Sequence, residues 1–173
     1  MRSRMPNWKL EIQVLPPFRR RITNRWLHSA VQHTLANEEM KHVGLIGLTI
    51  ADDEMLRQLN RDYAGIDEIT DVLAFGDNYC QTETSLGKTE NKSVDFVTPF
   101  DAPVILGDVV ISYTQAARQA REQKHTIRQE ITLLVAHGVL HLLGYDHVIA
   151  KQKKDMWERQ DRVVDQMLTR VRL

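Results

Sequence analysis

The sequence predicts an α+β fold, or a small α/β layer, as a single domain over residues 1–173. Three observations carry that reading. The 173 residues match the ~100–200 of one typical domain and suffice to bury a substantial core. Strand-like and helix-like patterns intermingle over the first two-thirds, and everything after Ser112 is helical in pattern. With 42% hydrophobic and 27% charged residues, the chain has the balance of an ordinary globular protein rather than a disordered one.

Residues 8–14 alternate apolar and polar side chains, the period of a half-buried strand, and Pro16-Pro17 ends the run. From residue 19 to about 36, Ile22, Trp26, Ala30, Val31 and Leu35 recur every three or four positions, which predicts an amphipathic helix. The glycine-punctuated apolar run 43–51 predicts a buried strand. Asp52-Asp53 can cap a following helix that carries Met55, Leu56 and Leu59 on one side. Val72-Leu73-Ala74-Phe75, bounded by Asp71 and Gly76, reads as a short strand. Residues 77–103 change character: polar residues, Gly and Pro dominate without periodicity, and the expectation is a mobile surface insertion. Strand character returns at 104–106 and, past Gly107-Asp108, at 109–111. Helices follow at 113 to about 123, 128–143 and 151 to about 171, making four strands and about five helices.

Charge and cysteine content narrow the function. Twenty-three Lys+Arg balance 23 Asp+Glu, so bulk charge does not drive nucleic-acid binding, and any such contact needs a local patch. Cys80 is the only cysteine, which excludes an internal disulfide and points to a reducing compartment. Met1-Arg2-Ser3-Arg4 leads into no apolar segment, and no run nears the ~18 apolar residues of a membrane span. A cytoplasmic protein without a membrane partner is the expectation. Arg19-Arg20-Arg21 with Arg25 falls at the predicted start of the first helix, where cations oppose the helix dipole; a solvated face is the plainer reading, an RNA contact the sharper one. Trp8, Trp26 and Trp157 read as core or interface residues, and Met5, Met55, Met156 and Met167 as packing residues.

The sharpest feature is residues 137–147, His-Gly-Val-Leu-His-Leu-Leu-Gly-Tyr-Asp-His. His137 and His141, four apart on a predicted helix, project from one face a turn apart and can place two nitrogens ~2.0–2.1 Å from one zinc ion. Gly144 permits the left-handed backbone that ends the helix, and His147 can supply a third ligand. Three protein ligands leave one open position, the arrangement of a catalytic metal, at which bound water has its pKa lowered to ~7. Histidines at both offsets from a first one arise by chance in roughly one such sequence per hundred, which favours a metal site over histidines that merely share a face. His28, His33, His42 and His125 lack ligand spacing. The spacing H-x-x-x-H-x-x-G-x-x-H is that of metzincin proteases, yet the position of their general-base glutamate is Gly138 here. Asp146 can orient a ligand, assist the water, or cap the turn; no general base is assigned.

The 137–147 run resembles the signature of the YbeY family of bacterial endoribonucleases and rRNA maturation factors. Leu59-Asn60, Tyr63, Gly65, Asp67 and Thr70-Asp71-Val72-Leu73-Ala74-Phe75 are similar to that family's segment around its second helix and third strand. Leu106-Gly107-Asp108-Val109-Val110-Ile111-Ser112 is similar to its fourth strand, and Arg128-Gln129-Glu130 precedes the metal helix as expected. The resemblance implies a small mixed β-sheet, four-stranded by the pattern above, packed with several helices. It also implies one Zn2+ held by His137, His141 and His147, and cleavage of single-stranded RNA in ribosomal RNA processing, at the small-subunit RNA 3′ end, and in ribosome quality control. Ribosome or small-subunit assembly components are the implied partners. One departure stands out. Where the family carries Tyr-Arg-Gly-Lys-Asp followed by Lys-Pro, this chain has Tyr63-Ala64-Gly65-Ile66-Asp67 and Glu68-Ile69. The lost cations would otherwise favour phosphate binding, and Arg61, three residues before Ala64, is the candidate replacement. A metzincin-like metalloprotease and a non-catalytic, zinc-stabilised ribosome-assembly factor are the rival readings.

Overall fold

A computed structural model describes residues 8–38, 44–76, 104–145 and 150–169. Four strands, β1 (Lys9–Val14), β2 (Gly44–Ala51), β3 (Val72–Phe75) and β4 (Val104–Ser112), form one sheet in the order β1-β2-β4-β3. The first three of that order run parallel and β3 pairs antiparallel with β4, so the sheet is mixed. Five helices complete the α+β fold: α1 (Asn24–Asn37), α2 (Asp53–Ala64), α3 (Tyr113–Glu122), α4 (Ile127–Leu142) and α5 (Ala150–Thr169).

Side-chain alternation on the strands divides the core into two faces. Ile46, Leu48 and Ile50 of β2 with Val109 and Ile111 of β4 meet Leu27, Val31 and Leu35 of α1 and Ile131, Val135 and Val139 of α4. On the opposite face Val110 and Ala51 meet Leu56 of α2, with Leu59, Leu73 and Phe75 packed against them. α5 covers α1 and α4 from outside, burying Met156, Val163 and Met167. α4 is therefore covered on nearly every side, as its almost uninterrupted apolar sequence requires. Fully burying a residue such as Leu140 stabilises the fold by about 1.5–3 kcal/mol.

Two expectations are corrected. The first long helix begins at Asn24, not residue 19: Pro16–Phe18 forms a 3-10 turn, and Thr23 caps α1 by accepting from the Trp26 amide. Arg19-Arg20-Arg21 thus precedes the helix, and Arg19 Nε donates to the Val14 carbonyl at 3.0 Å. The strand expected across Gly107 is continuous, with a bulge that absorbs Leu106: Leu45 pairs with Ile105 and Ile46 with Gly107. Met55 and Trp157 are 38% and 56% exposed, so neither is a packing or core residue, whereas Trp8 is buried. Met5, His42, Cys80 and the predicted insertion 77–103 lie outside the described residues.

Candidate metal centre on the central helix

Local signals start and stop α4 where the chemistry needs it. Thr126 accepts from the Gln129 amide, and the Gln129 side chain accepts from the Thr126 amide, a reciprocal cap at the N-terminus. At the other end the Gly144 amide bonds to the His141 carbonyl and the Tyr145 amide to that of Leu140. This closing pattern requires a left-handed residue, and Gly144 has φ 88°. The predicted stop at Gly144 is present.

Between these ends, His137 and His141 are half-buried while their helical neighbours Gly138, Val139, Leu140 and Leu142 are buried. Their Nε2 atoms lie 3.0 Å apart, with ring planes at 75°. Two ligands ~2.05 Å from a tetrahedral zinc sit about 3.3 Å apart, so the donor type and spacing both fit that ion. His137 Nδ1 is 2.7 Å from the side-chain amide of Gln160 on α5, fixing the ring from behind. Among the described residues no group of three His, Cys, Asp or Glu converges as a metal site, and the expected third ligand His147, with Asp146, lies outside them.

Gly138 has a steric role. A Cβ there would come 2.5 Å from Val109 Cγ1, so α4 can lie this close to β4 only with glycine at that position. A glutamate at position 138 would collide with the sheet. The protease reading thus loses room for its general base as well as the base itself.

The segment leaving α4 is held by a second set of contacts. Tyr145 Oη donates to Glu38 Oε2 at 2.6 Å, and Arg159 Nη1 donates to Glu38 Oε1 at 2.7 Å while its guanidinium lies 4.7 Å from the Tyr145 ring centre. The hydrogen bond to the Glu38 carboxylate, then burial, pushes the Tyr145 phenol above its ordinary pKa and keeps it a donor. This clamp joins α1, α5 and the turn two residues before His147.

The profile described as Endoribonuclease YbeY matches residues 15–168. The chain belongs to the YbeY family. Among its relatives, a protein named endoribonuclease YbeY from Roseiflexus sp. (strain RS-1) is 36% identical over 156 residues, covering 90% of each chain. One of the same name from Dehalococcoides mccartyi (strain ATCC BAA-2266 / KCTC 15142 / 195) is 37% identical over 153 residues, covering 88% of this chain and 86% of that one. The solution structure of TM1509 from Thermotoga maritima shares the fold, with a TM-score of 0.56 at 22% identity over 94% of this chain and 91% of that one.

The α2–β3 connection carries the departure expected from the resemblance. Ala64 ends α2, and Tyr63, Ile66 and Ile69 are 70%, 50% and 50% exposed in a stretch where cations were expected at positions 64, 66 and 68. Asp67 receives a two-pronged hydrogen bond from Arg57, at 2.8 and 3.0 Å, which holds its carboxyl below the ordinary value. Arg61, the candidate replacement cation, is exposed, 3.6 Å from Asp62 and 3.9 Å from Asp67. Its charge is shared with two carboxylates.

Sequence reasoning missed Gln160, the Glu38 clamp and the contact between His125 Nε2 and Glu130 Oε2 at the start of α4. A signal for Gln160 was available: Met156, Val163 and Met167 form the inward stripe of α5, and Gln160 is the polar residue interrupting it. Glu38 and Arg159 are 121 residues apart and left no comparable local trace.

Proposed function

We propose that the protein is a zinc-dependent endoribonuclease that cuts single-stranded RNA, acting in the cytoplasm on ribosomal RNA at the small-subunit 3′ end and in ribosome quality control. Family membership supports the nuclease class. The observation that carries the metal is the 3.0 Å approach of His137 Nε2 to His141 Nε2 on a helix clamped at both ends. His137, His141 and His147 are the ligands in this reading. Zinc there would supply a Lewis acid for a phosphoryl oxygen and acidify the attacking water. The chain's own part is to orient the rings: Gln160 backs His137, and the Glu38–Tyr145–Arg159 clamp sets where the chain leaves α4. No described helix is long and apolar enough to cross a membrane.

A specific observation favours one rival. With alanine at position 64 and Arg61 beside two carboxylates, the usual phosphate-binding cation is weak, which suits a ribosome-assembly factor whose zinc is structural. The two readings separate on purified protein given single-stranded RNA, with and without chelator. RNA cutting that chelator stops, and that His141→Ala lowers by about 1000-fold or more, is the expected result, matching the several kcal/mol a metal supplies. Zinc-loaded protein that leaves RNA intact, yet melts at lower temperature once stripped, would favour the assembly factor.

A further inference from the structure

Gln160 is 3% exposed on the inward face of α5, in line with Met156, Val163 and Met167. A carboxamide is costly to bury without hydrogen bonds, and here it lies 2.7 Å from His137 Nδ1. We infer that Gln160 is a positioning residue that selects the tautomer of His137 and thereby sets the zinc affinity of the pair, an inference that rests on the zinc reading above.

Two arrangements satisfy the same contact. In one, the amide N–H donates to Nδ1; the ring proton then sits on Nε2 and donates to His141 Nε2 at 3.0 Å. In the other, the carboxamide is turned over and Oε1 accepts from Nδ1–H, leaving the Nε2 lone pair for a metal. The oxygen and nitrogen ends of a carboxamide are close in size, so the exchange needs a half-turn about the last side-chain torsion. One ring proton leaves Nε2 for solvent and one is taken up at Nδ1, so the net charge is unchanged. Only the second arrangement is compatible with His137 binding zinc through Nε2, and a partner at the far nitrogen is what metal-bound histidines ordinarily have. Glutamine serves both states. A methionine of similar length serves neither, and a glutamate, as an ionised acceptor, serves the second.

The test compares zinc affinity, by competition with a chromophoric chelator, in the parent, Gln160→Met and Gln160→Glu. Gln160→Met fits the methionine-containing stripe and is expected to fold with a melting temperature near the parent's, yet to bind zinc 10- to 100-fold more weakly. Gln160→Glu is expected to bind at least as tightly as the parent. Nitrogen NMR of the zinc-loaded parent is expected to place the His137 proton on Nδ1. A Gln160→Met protein that binds zinc within twofold of the parent, while His141→Ala loses it, would overturn the role of Gln160 alone. A parent that binds no zinc would overturn the zinc reading beneath it.

Discussion

Two contacts lie toward the opposite ends of α4, one between a histidine and a glutamate and one between two histidines, and their chemistry is opposite. Near the N-terminus, His125 Nε2 meets Glu130 Oε2 at 2.5 Å, with Glu130 5% exposed. An imidazole and a carboxyl complete each other, since one brings an N–H and the other an acceptor. Near the C-terminus, two like rings meet through like atoms at 3.0 Å. Neutral imidazoles held nitrogen to nitrogen share either a proton or a cation. The first pair is self-sufficient; in the proposed reading the second takes up an ion supplied from outside. A histidine's partner, more than its burial, separates a structural histidine from a ligand.

Between the two ends, Gly138 sets how closely α4 approaches β4. Gly138→Ala adds a methyl group where Val109 Cγ1 would be 2.5 Å away. Overpacking costs about 1–3 kcal/mol, against roughly 1 kcal/mol regained from helix propensity, so a net loss of up to about 2 kcal/mol is expected in urea unfolding. Unchanged stability would show that α4 can move off the sheet, which would break the contrast between a fixed helix and its two differently equipped ends.

A smaller effect sharpens the N-terminal half of the comparison. Burial raises the Glu130 carboxyl above its ordinary pKa, and the hydrogen bond and charge of His125 only partly offset this. The folded state therefore holds the proton more tightly than the unfolded chain. The stabilising contribution is complete below the unfolded carboxyl value and is lost as pH rises through the raised folded value. Unfolding free energies measured from pH 4 to 7 are expected to fall more steeply for the parent than for Glu130→Gln. Parallel pH profiles would mean that Glu130 is not held against its charge.

What could be read from sequence was local. Asp52 caps α2 as expected by accepting from the Met55 amide at 3.0 Å, and Gly144 ends α4, because both signals act within a few residues. The four-residue spacing of His137 and His141 likewise translates directly into a shared helix face. The start of α1 is not legible, because apolar periodicity from Ile22 onward hides the cap at Thr23 and the turn at Pro16–Phe18. The partner of His137 was harder to find, since Gln160 lies 23 residues away on another helix. Trp157 shows the limit of composition: an indole suggests core, yet it lies on the outer face of α5 with the Lys153 ammonium 4.9 Å from its ring centre.

In the proposed reading the His137–His141 pair holds zinc while the His125–Glu130 pair does not. Elemental analysis of protein purified without a histidine tag tests it directly. The expected result is one zinc per chain, absent from His141→Ala and retained by Glu130→Gln. A parent protein that is metal-free and takes up no added zinc would contradict it.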